Sequence, residues 1–171
     1  VGKSTFINRI LGRKSAKAAD RPGVTRGSQW FRVDSGIDLL RRQVHTADTW
    51  STWSDLVDMY SQKANVLLDN HRYTEVAAMY DTFSEAVTTM TERKPESVAG
   101  GNDWSKAMFY AIYSVTYAHL GEKQKAYDFY SKLIDTDLSK TPSGITFLVP
   151  YLLLERRYGE AITKLEQEEA F

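Results

Sequence analysis

The sequence predicts a mainly α fold, a stack of antiparallel helical hairpins filling residues 54–171. Three observations predict it. Apolar residues recur at intervals of three and four through most of that stretch. Short polar or glycine-bearing turns separate the periodic runs, so consecutive helices must run antiparallel. A pattern of aromatic, small and aromatic residues also returns at fixed offsets, as stacked repeats require.

Ahead of the helices stands a segment of a different kind, residues 1–42. Val1-Gly2-Lys3-Ser4-Thr5 is the second half of a phosphate-binding loop. In such a loop backbone N–H groups cradle the β-phosphate; here Lys3 would neutralise phosphate charge and the Ser4 hydroxyl would take Mg²⁺. A helix should follow, with Phe6, Ile7, Ile10 and Leu11 on one face and Gly12 as its stop. Beyond it, Gln29 to Val33 and Ile37 to Leu40 are expected as two short strands. The phrases Asn8-Arg9-Ile10-Leu11-Gly12, Arg21-Pro22-Gly23-Val24-Thr25 and Gln29-Trp30-Phe31 give a longer signature. Together with the loop they resemble the circularly permuted ribosome-assembly GTPases, over roughly residues 1–40. The resemblance implies GTP and Mg²⁺ as ligands, with Gly2, Lys3, Ser4, Thr5 and Thr25 at the nucleotide. It puts Thr25 in the first switch, where with Ser4 it belongs to the Mg²⁺ site. The first glycine of the loop motif would precede Val1, no Asp-x-x-Gly follows Leu40, and no Asn-Lys-x-Asp occurs.

A junction at residues 43–53, rich in Thr, Ser and Trp, leads into the helices. Leu56, Tyr60, Ala64, Leu67 and Leu68 form the stripe of the first. After a turn at Asp69-Asn70-His71-Arg72, Val76, Tyr80, Phe83, Val87 and Met90 form the stripe of the second. A loop with Pro95, Gly100 and Gly101 separates this hairpin from the next, Trp104 to Leu120 and Lys123 to Ile134, where Gly121 supplies a left-handed C-cap. Gly144 to Glu155 and Tyr158 to Glu168 make the third, with Pro150 inside its first helix. A shift of fifty matches Tyr60 with Tyr110, Ala64 with Ser114, Val76 with Ala126 and Tyr80 with Tyr130. Ala161 follows Ala126 by thirty-five. Ala64, Ser114, Ala126 and Ala161 are short where two helices must approach to about 8–10 Å.

The phrases Leu120-Gly121-Glu122-Lys123-Gln124-Lys125-Ala126-Tyr127 and Arg157-Tyr158-Gly159-Glu160-Ala161 resemble the tetratricopeptide family. That resemblance implies a right-handed solenoid that holds a peptide or partner helix on its concave face. Carried over by register, the groove residues are Asp58, Ser61, Asn65, Asp69 and His119.

Composition narrows the function classes. The absence of cysteine excludes disulfides, thiolate zinc sites and thiol nucleophiles. His45, His71 and His119 are too scattered to argue for a metal site. The longest apolar run, Ile145 to Leu154, falls short of membrane-spanning length, and Val1 opens no secretory leader; a soluble, cytoplasmic protein is expected. The net charge of zero conceals a division: residues 1–42 carry ten basic and three acidic side chains, the remainder twelve and nineteen. The basic segment suits ribosomal RNA or a ribosome; the acidic helices do not. The expected function is therefore a protein-binding scaffold without cofactor. The alternative is a GTP-binding ribosome-assembly factor, a GTP hydrolase if active, of which half the loop and the first switch are present.

Overall fold

The computed structural model describes residues 26–96 and 101–169, and they are helical with short connections. Helix α1 spans Arg26–Thr46, α2 Trp50–Asp69, α3 Tyr73–Ala78 and α4 Tyr80–Glu92. Then come α5 at Gly101–His119, α6 at Lys123–Ile134, a 3₁₀ turn at Leu138–Lys140, α7 at Pro142–Leu154 and α8 at Tyr158–Glu169. The expectation of a mainly α protein holds.

The two expected strands do not form; α1 runs straight through Gln29–Val33 and Ile37–Leu40. The reason lies in the longer window. Val33, Ile37, Leu40 and Val44 stand four, three and four apart, one helical stripe that a five-residue view cannot distinguish from strand alternation. Ile37 and Val44 are buried in the common core, with Val33 and Leu40 packed against it. The helix also continues past Arg42 to Thr46, so residues 33–46 pack on α2 without interruption. At Gly36 a Cβ would lie 2.6 Å from Met59 Cε, the tip of a side chain on α2. Lys63 pairs with Asp34 alongside.

The α1–α2 turn is tied at both ends. Thr49 caps α2 in a reciprocal box with Thr52, whose hydroxyl also donates to the Ala47 carbonyl. Asp48 accepts from Trp53 Nε1 at 2.7 Å and from Arg93 Nη2 at 2.9 Å, fastening the turn to the end of α4. Hydrogen bonds from Arg93, then from Trp53, hold the Asp48 carboxyl below the usual carboxylate range.

The core centres on α5, which is apolar on nearly every side and touches helices of all three hairpins. Three of its buried polar groups find partners: Ser114 Oγ donates to the Ala111 carbonyl at 2.8 Å, Thr116 Oγ1 to Ile112 at 2.7 Å, and Tyr113 OH to Val76 at 3.2 Å. Burial drives the Tyr113 phenol far above its ordinary value, so it stays a neutral donor. Around it Phe83 stacks on Tyr60 at 5.5 Å and meets Phe109 edge-on at 5.0 Å. Ala64, Ser114, Ala126 and Ala161 are all buried, as expected of residues at helix crossings.

Three turns repeat one design. His71 and Arg156 have φ of 58° and Gly121 of 78°, each in the left-handed region just past a helix end. The next amide reaches back five residues every time: Arg72 to Leu67 at 2.9 Å, Glu122 to Tyr117 at 2.9 Å, Arg157 to Leu152 at 2.8 Å. An ion pair then closes the following turn, Arg72 with Glu75, Lys125 with Glu122 and Arg157 with Glu160. These turns stand fifty and thirty-five residues apart, the same offsets that align the hairpins in sequence.

Candidate functional site

Two groups of residues are candidates. The first, Gly2, Lys3, Ser4, Thr5 and Thr25, lies outside the described residues. The helix that begins at the next position, α1, packs on α2 through Ile37 and Val44. No strand occurs among the described residues, and none of them form a group of three or more metal-ligating side chains.

The second group is described. Asp58, Ser61, Asn65 and Asp69 stand three, four and four apart on α2, hence on one face. Asp58, Asn65 and Asp69 are exposed; Ser61 is half-buried and spends its hydroxyl on the Val57 carbonyl at 3.0 Å. Partial desolvation, then the like charge of Asp55, hold the Asp58 carboxyl above the usual range. His119 comes from the end of α5 and stacks on Tyr73, ring centroids 4.0 Å apart. Tyr73 OH in turn meets His71 Nδ1 at 2.8 Å. Desolvation first, and the nearby His71 second, lower the His119 pKa, which favours the neutral ring. The turn after Asp69 and the end of α5 are thus joined through Tyr73.

Sequence reasoning misses Tyr73 and the meeting of His71 with His119, forty-eight residues apart. One signal could find them: His71 and Gly121 occupy equivalent turn positions, which brings His119 and Tyr73 to neighbouring ends of adjacent hairpins.

The described residues are helical hairpins, and the sequence ahead of them, with Gly2-Lys3-Ser4-Thr5 and Thr25, resembles part of a P-loop GTPase. The family model that matches is the 50S ribosome-binding GTPase, over residues 1–97, and the chain belongs to that family. The family shown is therefore this one, not the tetratricopeptide family that the helix pairs resemble. The matched stretch takes in α1 to α4. Ribosome biogenesis GTPase A of Priestia megaterium is 55% identical over 40 residues, 23% of this chain and 14% of that protein. Its counterpart in Thermotoga maritima is 41% identical over 39 residues, 23% and 15% of the two chains. GTPase Der of Lactobacillus delbrueckii subsp. bulgaricus is 32% identical over 96 residues, 54% of this chain and 20% of that one. The chain thus spans about a seventh to a fifth of the length of these relatives. No solved structure matches it.

Among the described residues no helix is long and apolar enough to cross a membrane.

Proposed function

We propose that the chain is part of a guanine-nucleotide-binding, ribosome-directed GTPase, its nucleotide end formed by residues 1–25. The observation that carries this reading is the family match across residues 1–97, which contains Gly2-Lys3-Ser4-Thr5 and Thr25 together. The backbone at Gly2 to Thr5 would receive the phosphates, Lys3 would offset their charge, and the Ser4 and Thr25 hydroxyls would face Mg²⁺. Bound Mg²⁺ supplies charge neutralisation at the phosphates. The basic 1–42 segment, whose Arg41 and Arg42 are exposed on α1, would meet ribosomal RNA or a ribosomal surface. Such a protein works in the cytoplasm, where ribosomes and GTP occur together.

Titration with a fluorescent GTP analogue should show saturable, Mg²⁺-dependent binding, weakened at least about tenfold by Lys3→Ala, roughly 1.4 kcal/mol or more. Circular dichroism of the variant should match the parent. Absence of saturation at millimolar nucleotide, or an unchanged affinity in Lys3→Ala, would sink the reading.

A second reading rests on a separate observation, the three equivalent turns with Ala64, Ala126 and Ala161 buried beside them. On it the helices are a tetratricopeptide-like solenoid holding a protein or peptide along the row Asp58, Ser61, Asn65, Asp69 with His119, and no cofactor is needed. The two readings are compatible within one chain, the first using residues 1–25 and the second the helical array.

A further inference from the structure

A groove of about 420 Å³ lies over α5, between α4 and α6. It is bounded by the second helices of the first two hairpins, and α2, which carries the Asp58 to Asp69 row, contributes nothing to it. We propose that this groove binds an acidic peptide segment carrying an aromatic side chain, with Lys106 and Lys132 taking its carboxylates and the half-buried rings of Tyr80 and Tyr110, backed by Phe109 and Phe129, taking the aromatic group.

Charge is the first argument. Residues 43–171 carry nineteen acidic and twelve basic side chains, yet two lysines border this groove. Lys106 is half-buried and has no hydrogen-bond or ion-pair partner among the described residues. Lys132 lies over the Phe129 ring, 5.2 Å from its centroid, and forms no ion pair there either. Glu92, the acidic residue of the lining, stands 3.8 Å from Arg93, whose guanidinium is already held by Asp48, so one negative charge stays at the groove's edge. Two lysines against one glutamate leave the lining net positive, and a carboxylate is the group that Lys106 and Lys132 would hold.

Shape and lining supply the second argument. Phe129 meets Phe109 at 6.1 Å and Tyr80 at 5.8 Å, both edge-on, and stands 6.4 Å from Tyr110. Phe109 and Phe129 are buried and back the groove, so an incoming ring would meet the half-buried Tyr80 and Tyr110 in an edge-to-face or offset arrangement. Tyr80 and Tyr110 are half-buried and their phenols have no hydrogen-bond partner among the described residues. Burial raises the Tyr110 pKa, so its hydroxyl remains a donor at neutral pH.

The test uses the 171-residue chain and a short fluorescein-labelled peptide of glutamates around one phenylalanine, followed by anisotropy. Saturable binding is expected, weakening as salt rises and falling at least about tenfold in the Lys106→Glu/Lys132→Glu variant. Tyr110→Ala should weaken binding while leaving the salt dependence in place; both variants are checked for parent-like circular dichroism. Failure of the peptide to bind at millimolar concentration overturns the proposal. So does equal binding of the same peptide with lysines for glutamates, or an affinity that the double variant does not change. A single-stranded RNA that binds more tightly and depends on the same lysines would assign the groove to nucleic acid. A dimer of the parent chain that the double variant dissolves would assign it to self-association. Either of these also overturns the proposal.

Discussion

Phe83→Ala is expected to destabilise the helical array by about 4 kcal/mol, as deletion of a fully enclosed phenylalanine does. Phe83 has no exposed surface and holds together rings from α2 and α5: Tyr60 at 5.5 Å, Phe109 at 5.0 Å and Tyr113 at 6.1 Å. Losing it opens a void between the first hairpin and α5 that aromatic neighbours, fixed by their own contacts, cannot refill. In urea the midpoint should fall with little change in slope, and Phe83→Leu should cost only about 1 kcal/mol because it keeps most of the volume. A Phe83→Ala midpoint within error of the parent would show that the first hairpin is not packed on α5 in this way.

Gly144→Ala should lower stability by about 3 kcal/mol, and for a different reason. Gly144 sits in the first turn of α7, where its amide donates to the Thr141 cap at 3.2 Å. A Cβ at this position would overlap the Leu138 carbonyl of the preceding 3₁₀ turn and lie 2.9 Å from Ser139 N. Backbone cannot swing away as a side chain tip can. The cost should therefore appear as displacement of α7 against the 3₁₀ turn. Hydrogen exchange should quicken across residues 138–169 and stay near parent values in α2. Uniform exchange at parent rates would contradict the close approach.

The helical hairpins are legible in the sequence because each carries its own periodic stripe. Leu56, Tyr60, Ala64 and Leu67 announce α2, and Gly121 announces the end of α5 because a left-handed residue there is easiest for glycine. The equivalent turns at His71 and Arg156 lack that signal, since neither is a glycine; the polar run Asp69-Asn70-His71-Arg72 marks the first, and the offset from Gly121 marks the second. Helix α1 reads as strand because Gln29 to Val33 is a short run in which period two and period 3.6 coincide; Ile37 and Val44, its buried residues, decide between them only when taken together.

Sites are less legible than elements. Gly2 to Thr5 stand together in one short motif, so the proposed phosphate contacts can be put forward from the chain alone. Lys106 and Lys132 are twenty-six residues apart on different helices, and Asp48 and Arg93 forty-five apart, so nothing short-range links them. The groove aromatics look like ordinary core residues along the chain. Only the lysines beside them distinguish a binding surface, and that juxtaposition is made by packing.

From Arg26 onward, the stretch that matches the GTPase family runs as helix packed on helix. Carbon-13 Cα chemical shifts of residues 29–44, measured on the isotope-labelled chain, test it most directly. Helix α1 predicts helical, downfield deviations without a break from Gln29 to Val44. Upfield deviations over Gln29 to Val33 and Ile37 to Leu40 would place strands there and contradict it.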